Sequence, residues 1–279
     1  MNDVNSILGG IVANAIRNNP PVEGDYTGDD GLLYCGKCHT PKQTRVPNLN
    51  GGRHVPCTCL CQQKEQVEEK KRDEKKKADE LRVHCLPDIA MRRHTFAAAT
   101  DAKHIQIAKR YVKKWEDVHR DNIGLRFWGN TGTGKSFTAQ CIANALIDRH
   151  IPVRYMSAVE IVATLMDKDT KRGEFMQRIR DVPLLIIDDL GAERDTSFAR
   201  EQLCTVIDTR CESGKPLIVT TNYTVNEMKN SADKDMQRIF NRLNAACVPV
   251  AVVGESRRDE IGEKKMLLAR ELLELNGSN

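Results

Sequence analysis

Short apolar runs alternate with helix-like periodicity through the second half of the chain. Five of these runs have the length of buried strands: 125–128, 152–156, 184–187, 216–222 and 248–253. Between them, apolar residues recur every three or four positions, as in 137–146 and 203–211, which is typical of amphipathic helices. Runs that are apolar throughout indicate strands buried on both faces. The pattern therefore predicts an α/β fold, a parallel sheet sandwiched by helices.

Further helices are predicted outside this alternation. Apolar residues at helical intervals place one over 103–119, ahead of the first strand. Residues 62–84 are mostly charged, with opposite signs four positions apart, which indicates an exposed helix. We interpret it as a solvated linker; the alternative is a lever or a partner-binding helix. A single tail helix is predicted from four apolar positions, Met266, Leu268, Leu272 and Leu275.

The chain accordingly divides into four parts. Residues 1–61 form an N-terminal region with a weakly apolar stretch, 7–16, that suggests a short docking helix, and a cysteine cluster. The charged linker covers 62–86 and ends where Pro87 breaks the helix. The α/β domain covers 87–258, and the tail helix covers 259–279.

A phosphate-binding loop follows the first strand. The segment fits G-x-x-x-x-G-K-[ST] at every fixed position: Gly129, Asn130, Thr131, Gly132, Thr133, Gly134, Lys135 and Ser136. Its glycines allow successive backbone N–H groups to converge on a phosphate. Lys135 is expected to reach the β- and γ-oxygens of ATP or ADP, and the Ser136 hydroxyl to bind Mg²⁺. The order of strand, loop and helix makes a chance glycine-rich turn a poor alternative.

Carboxylates end the third predicted strand, and an amide ends the fourth. Asp188 is predicted to hold Mg²⁺ opposite Ser136, and Asp189 to orient the attacking water. A glutamate is commoner at the second position, so the aspartate suggests slow or partner-controlled turnover; Glu193 is the alternative base. Asn222 is expected near the γ-phosphate, unless it only begins a turn.

Two arginines share one face of a later predicted helix. Arg238 and Arg242 are four residues apart, so both side chains project from the same side. A guanidinium that reaches the γ-phosphate of a neighbouring subunit would make hydrolysis depend on assembly. The commoner arrangement for such a pair is a solvated face or an intramolecular salt bridge.

The cysteines are unevenly distributed. Of ten, five lie within 35–61: Cys35, Cys38, Cys57, Cys59 and Cys61. Two thiolate pairs at this separation predict a structural, tetrahedral Zn²⁺ site made by Cys35, Cys38 and two of the other three. His39 and His54 are reserve ligands. The alternative is a set of reduced, unliganded thiols.

Charge and hydropathy limit the partners and the cellular compartment that can be expected for this protein. The chain has 43 basic and 39 acidic residues, a net charge of +4, which permits nucleic-acid binding without indicating it. It has no uninterrupted apolar run long enough for a membrane helix, and no signal peptide is evident before residue 17. We therefore expect a cytoplasmic protein.

Taken together, the motifs resemble the AAA+ domain of DnaC-type replicative helicase loaders over about residues 86–258. The resemblance rests on GNTGTGKS, LLIIDDLGAE, VTTNY, RIFNRL and GESRR, with HTFAAATD leading into the first strand. It implies an AAA+ sheet and places Arg242 at the arginine-finger position, with Arg238 as the alternate. The chain departs from the family pattern after Val253, where too few residues follow for a full helical lid. Arg257 and Arg258 are weak candidates for a second sensor.

The resemblance also implies partners. A loader of this family binds ATP, associates with a hexameric replicative helicase through its N-terminal part, places it on single-stranded DNA, and assembles into a ring or spiral. Several such loaders carry a zinc-binding N-terminal module. The rival families are IstB-like transposase-partner ATPases, with nearly the same domain, and nucleotide-gated adaptors with negligible hydrolysis.

Overall fold

A computed structural model describes residues 21–46, 53–193 and 196–273. It divides the chain into two compact units that meet between Lys76 and Lys77. We call the first the cysteine unit and the second the sheet unit. The predicted docking helix at 7–16 lies outside the described residues.

The cysteine unit is built from two small antiparallel hairpins. Strand β1 (Tyr26–Thr27) pairs with β2 (Leu33–Tyr34). Strand β3 (Gln43–Val46) pairs with β4 (Arg53–Pro56), with Gln43 opposite Pro56. A buried ion pair, Lys42 Nζ to Asp25 at 2.5 Å, holds the first hairpin against the second. Such a small unit buries little apolar surface, which makes a metal the expected source of its stability.

The predicted charged helix is confirmed as α1 (Leu60–Cys85). Most of it is exposed, but Ala78 and Cys85 near its end are buried. The Cys85 Sγ atom accepts a hydrogen bond from the Val153 N–H, and Arg82 binds Asp148 and the Asn144 side chain. These contacts belong to the sheet unit, which is why the compact units meet inside the helix rather than near Pro87.

The sheet unit has five parallel strands, and all five predicted from the apolar runs are confirmed. Their bounds are β5 (Gly124–Trp128), β6 (Val153–Ser157), β7 (Leu184–Leu190), β8 (Leu217–Thr221) and β9 (Cys247–Ala251). Their order in the sheet is β6–β7–β8–β5–β9. Strand β5 lies between β8 and β9, with Leu125 opposite both Ile218 and Val248. The loop after β5 therefore emerges next to the end of β8.

Helices cover both faces of this sheet. The helices of the sheet unit are α2 (Ile89–Arg92), α3 (Lys103–Lys113), α4 (Trp115–Arg120), α5 (Lys135–Ile147), α6 (Ala158–Met166), α7 (Arg172–Asp181), α8 (Ser197–Glu212), α9 (Val225–Lys229), α10 (Lys234–Ala246) and α11 (Arg257–Leu272). Within the described residues, no helix is both long and apolar enough to cross a membrane.

One predicted helix is interrupted. The single helix expected over 103–119 is wrong, because the backbone leaves helical geometry at Lys114, between α3 and α4. The break lets Trp115 begin a new turn and bury its ring 6.1 Å from that of Tyr111. Apolar spacing alone does not register such a break, because both helices keep an apolar side toward the sheet.

Two apolar cores lie on opposite faces of the sheet. Ile186 and Ile218 point toward the core formed with α3, α4 and α5. Ile187 and Val219 point toward the core formed with α6, α7, α8 and α10. Successive strand residues point to opposite faces, so strands buried on both sides read as continuous apolar runs. The cores fix the strand ends from which the candidate site is built.

Candidate nucleotide and metal sites

The phosphate-binding loop connects β5 to α5, as predicted. Gly134 adopts a left-handed backbone (φ 101°) immediately before the helix. At Gly129 and Gly132 the backbone φ is also positive, and an added Cβ would collide with the Val252 carbonyl and with Ser256 respectively. Glycine at these places lets the backbone N–H groups and the positive end of α5 face the same point. That geometry suits a phosphate.

Lys135 lies inside the loop rather than in solvent. Its Nζ atom donates to the carbonyls of Gly129 and Asn130, each at 2.8 Å, and the Thr133 hydroxyl donates to the Asn130 carbonyl at 2.8 Å. Burial lowers the pKa of Lys135, and the nearby carboxylates of Asp189 and Asp188 oppose this. A buried ammonium group that donates to backbone carbonyls can exchange these acceptors for phosphate oxygens. Ser136 follows it in the first turn of α5, half-buried.

The predicted carboxylate pair lies at the end of β7, beside β8. Asp188 is buried, whereas Asp189 is exposed and has a positive φ of 56°. The register between β7 and β8 shifts between Ile187 and Leu190, so the two aspartates sit in a bulge. This bulge turns the second carboxylate out of the sheet, toward the open end of the strands.

Thr220 connects both aspartates and was missed by sequence reasoning. Its hydroxyl donates to Asp188 Oδ1 at 2.5 Å and accepts from the backbone N–H of Asp189 at 2.8 Å. The only sequence signal was a polar residue near the end of an otherwise apolar run. Thr220 therefore positions the side chain of Asp188, the candidate metal ligand, and stabilises the bulge that orients Asp189.

Asn222 and Glu193 lie on the loops that follow these strands. Asn222 comes directly after β8 and is exposed, at the sheet edge where the phosphate-binding loop also emerges. Glu193 accepts a hydrogen bond from the Gly191 N–H at 2.8 Å through its Oε2 atom. Glu193 is thus engaged in its own turn, which favours Asp189 over Glu193 as the water-orienting carboxylate.

Both candidate finger arginines are bound to one aspartate of the same chain. Arg238 Nη2 and Arg242 Nε each lie 2.8 Å from an oxygen of Asp208, on α8. The side chains of Arg238 and Arg242 remain 61% and 49% exposed. The salt bridge that spacing alone favoured is therefore present, and it leaves both guanidinium groups accessible from outside.

The start of α11 packs against the phosphate-binding loop. The Arg257 N–H donates to the Gly132 carbonyl at 3.0 Å, and its guanidinium lies 5.8 Å from the Phe137 ring and hydrogen-bonds Thr100. Arg258 is exposed, and after burial its charge also contributes to lowering the pKa of Lys135. The start of α11 thus brings the weak second-sensor candidates to the phosphate-binding loop, through the contact of Arg257 with Gly132.

The structure also selects among the candidate zinc ligands. The Sγ atoms of Cys35, Cys38, Cys59 and Cys61 all lie within 4.8 Å of one another. Cys57 points away, toward the Pro41 carbonyl at 3.4 Å. Four convergent thiols form the donor set that Zn²⁺ prefers in structural sites, so these residues fit a zinc ion. This arrangement favours Cys59 and Cys61 as the second pair.

The reserve histidines lie outside this group. His39 Nδ1 contacts the Tyr26 hydroxyl at 3.2 Å, and His54 is exposed on β4. Neither belongs to the set of residues whose ligand atoms converge. The candidate site is therefore an all-cysteine site.

A phosphate-binding loop after β5, carboxylates at the end of β7, which β8 separates from β5, and the strand order β6–β7–β8–β5–β9 define an AAA+ P-loop nucleotide-binding protein. The chain belongs to the IstB-like ATP binding protein family, whose family model matches residues 61–264. A crystal structure of the DnaC helicase loader shares the fold, with a TM-score of 0.52 at 20% identity, covering 60% of this chain and 100% of that one.

Curated relatives match over shorter stretches. The replicative helicase loader DnaI of Bacillus subtilis is 26% identical over 160 residues, 53% of this chain and 51% of DnaI. An ATP-binding protein in an insertion sequence of Mycobacterium tuberculosis is 34% identical over 116 residues, 40% of this chain and 45% of that protein. The chain therefore spans about half the length of these relatives.

Proposed function

We propose that the protein is a slow, partner-stimulated ATPase that loads a hexameric replicative helicase onto single-stranded DNA. The observation that carries the ATPase part is the Thr220 bridge, which holds Asp188 and the bulge carrying Asp189 in one arrangement beside the phosphate-binding loop. Lys135 and the backbone of Gly129–Ser136 bind the phosphates, and Ser136 and Asp188 hold Mg²⁺.

Some residues of the site bind the nucleotide and Mg²⁺, and others position the attacking water or stabilise the transition state. A Mg²⁺ ion held by Ser136 and Asp188 would neutralise charge on the β- and γ-phosphates. Asp189, exposed at the strand end, orients the attacking water, and Asn222 helps to hold that water. Arg242 of a neighbouring protomer, with Arg238 as the alternate, stabilises charge that develops in the transition state.

Two substitutions test this division of roles. Lys135→Ala removes the positive charge that holds the phosphates, so nucleotide binding should be lost. Asp189→Asn keeps the shape of the side chain and removes only its charge, so binding should persist while hydrolysis stops. Equilibrium binding of a fluorescent ATP analogue and release of inorganic phosphate measure the two effects. Equal loss of binding in both variants would contradict the assigned roles.

The loading role is supported by the likeness of the sheet unit to helicase loaders and by the cysteine unit that precedes it. We infer that the first 61 residues, including the Zn²⁺ module, contact the helicase. ATP binding then promotes assembly of several chains into a ring or spiral whose protomers contact single-stranded DNA. DNA contact of this kind neutralises backbone phosphates and weakens as salt rises. Such a protein acts in the cytoplasm.

A transposase-partner ATPase is the second candidate function. It is favoured by the family description and by the insertion-sequence relative. The all-cysteine site favours the loader instead, because the metal module supplies a separate partner-binding unit ahead of the ATPase. The measurement of phosphate release distinguishes both of these ATPases from a nucleotide-gated adaptor, which binds ATP without hydrolysing it.

A further inference from the structure

Helix α3 presents an outer face made of basic residues. At about 100° per residue, four exposed cations of this helix fall within an arc of about 120°: Lys103, Lys109, Arg110 and Lys113. Gln106, also exposed, lies between them. Ala108 and Tyr111 lie on the opposite side of the helix and are buried in the apolar core. We call the four cations the basic face of α3.

The basic face is not neutralised within the chain. Among the residues that the structure describes, no carboxylate lies within ion-pair distance of its four cations. The nearest acidic residues along the chain have other partners: Asp101 accepts from Gln106 Nε2 at 3.2 Å, and Glu116 pairs with Arg149 at 2.5 Å. Helix α5, which packs against α3, contains no acidic residue. The positive charge is therefore available to an external anion.

Helix stability does not account for this arrangement. Lys103 stands in the first turn, where the helix dipole disfavours a cation and no acidic residue accompanies it. Lys113 follows Lys109 by four residues and Arg110 by three, spacings at which like charges repel. Helix α4 has the opposite arrangement, with acidic residues in its first turn and basic residues in its last. The basic face therefore costs α3 some stability, which the binding of an external anion would offset.

The chemistry of the basic face indicates a phosphate backbone as its partner. Over residues 103–114, all of which the structure describes, no exposed position carries an apolar or aromatic side chain. Protein partners are usually anchored by aromatic residues in apolar pockets, and single strands by stacking of bases on aromatic rings. Tyr111 cannot stack on a base, because it is only 5% exposed. The four cations can still make electrostatic contacts with phosphates.

The length of the basic face suits a DNA duplex. From Lys103 to Lys113 the helix extends about 15 Å, at a rise of about 1.5 Å per residue. B-DNA carries one negative charge per about 1.7 Å of its axis, so about nine phosphates lie within that length. Each of the four cations can therefore contact a phosphate without reaching a base.

We propose that the basic face of α3 binds double-stranded DNA through its phosphates, without regard to base sequence or bound nucleotide. None of its four residues belongs to the candidate nucleotide site. This goes beyond the proposed function, which concerns single-stranded DNA and ATP-bound assemblies; the choice of DNA rather than RNA rests on that proposed function. Such contact would hold the protein on the duplex that borders an opened single-stranded segment.

The test is fluorescence anisotropy of a labelled duplex of about 20 base pairs with the full chain, without nucleotide, between about 50 and 200 mM salt. The test variant carries four substitutions together: Lys103→Gln, Lys109→Gln, Arg110→Gln and Lys113→Gln. The matched control removes four exposed cations from the mixed-charge helix α1 instead: Lys64→Gln, Lys70→Gln, Lys71→Gln and Lys75→Gln. Both lose four positive charges from a net charge of +4. A conservative variant keeps the charge: Lys103→Arg, Lys109→Arg and Lys113→Arg.

Wild-type affinity should fall roughly 100-fold over this salt range, because each phosphate contact contributes about −0.9 to the slope of log K against log salt. The test variant should bind the duplex at least about 10-fold more weakly at the lowest salt and lose most of that slope. The α1 control and the arginine variant should bind like the wild type. Two half-variants, Lys103→Gln with Lys109→Gln and Arg110→Gln with Lys113→Gln, should each lose about half of the slope.

Duplex affinity that persists in the test variant, or that falls equally in the α1 control, would overturn the proposal. Tighter binding of the wild type to the single strand, to a matched RNA duplex or to phosphatidylserine vesicles would overturn it as well. Melting temperature and binding of a fluorescent ADP analogue should match the wild type in every variant; if the test variant unfolds, the half-variants decide. A wild type that binds the duplex but gains no single-strand binding with ATP would contradict the proposed function alone.

Discussion

Arg210 is a fully buried cation whose guanidinium donates to backbone carbonyls. Its guanidinium donates to Ile179, Val182, Pro183 and Pro216 at 2.6–3.0 Å. These carbonyls belong to the end of α7 and to the segments that lead into β7 and β8. Burial lowers the pKa of Arg210 to about 10, so it stays charged at neutral pH. One side chain therefore joins the entries of two neighbouring strands.

Arg210→Met should destabilise the sheet unit severely. The substitution keeps an unbranched apolar stem and leaves several buried carbonyls without donors, which should lower the free energy of unfolding by about 3 kcal/mol or more. Thermal and urea unfolding measure this loss. The matched control is Arg178→Met on α7, whose side chain is 67% exposed and should be nearly neutral. Equal stability of the two variants would show that the carbonyl contacts contribute little.

At the residue scale, the sequence predicts those side chains whose role follows from local spacing. The glycines, Lys135 and the two aspartates are of this kind, because loop and strand end are contiguous in the chain. Thr220 and Asp208 could not be predicted, because each acquires its role from a neighbouring element. The choice of Cys59 over Cys57 likewise depends on how the hairpins bring the thiols together.

At the element scale, apolar runs and periodicity predict the sheet and most of its helices. They predict less where polar residues dominate: α7 (Arg172–Asp181) was not anticipated, since it buries little beyond Phe175 and Ile179. The tail helix is present as α11 and begins at Arg257, with Met266 and Leu268 exposed; Leu275 lies outside the described residues. Apolar periodicity predicts that a helix forms, but it does not identify the surface that buries the apolar residues of that helix.

We expect the hairpins of the cysteine unit to be stabilised by a metal ion rather than by apolar packing. Purified, untagged protein should contain about one Zn²⁺ per chain. Cys59→Ser should lose the metal and unfold the hairpins, because the ion supplies most of their folding free energy. Nucleotide binding by the sheet unit should persist. Elemental analysis and circular dichroism measure the two effects.

Cys57→Ser is the matched control for this prediction. It removes a thiol from the same short segment, but one whose Sγ atom faces the Pro41 carbonyl rather than the other thiols. Zinc content should therefore be unchanged. If Cys57→Ser loses zinc as completely as Cys59→Ser, the assigned ligand set is wrong. A metal-free wild type with cooperatively folded hairpins would contradict the zinc site altogether.

At the scale of the whole molecule, we propose that Arg242 acts on the nucleotide site of a neighbouring protomer. Within one chain, Arg242 and Arg238 both form ion pairs with Asp208. To reach the γ-phosphate bound by a neighbouring protomer, Arg242 must break its ion pair with Asp208 or contact both groups at once. Asp208 is only 13% exposed, but Arg238 can stay paired with it when Arg242 leaves, so we expect this exchange to cost little free energy. A finger is typically worth about 10³–10⁵ in turnover, and we expect the lower end here because the base is an aspartate.

Mixing variants separates a finger from a structural salt bridge. Arg242→Ala should lose the hydrolysis that rises with protein concentration, and keep nucleotide affinity and melting temperature. Asp208→Asn breaks the same bridge and should leave stimulated hydrolysis in place. Adding Lys135→Ala protein to Arg242→Ala protein should restore activity, because one supplies the arginine and the other an intact site. No restoration, with a lowered melting temperature in both bridge variants, would assign Arg242 a structural role.

The most direct test of the central claim is a binding measurement with the replicative helicase of the organism that encodes this chain. Full-length protein and purified hexameric helicase should elute as one complex in ATP, as measured by size-exclusion chromatography with light scattering. Cys59→Ser should abolish that complex while Arg242→Ala retains it, because the contact is assigned to the first 61 residues. A protein that binds ATP normally but forms no complex with the helicase, and binds a transposase instead, would contradict the loader.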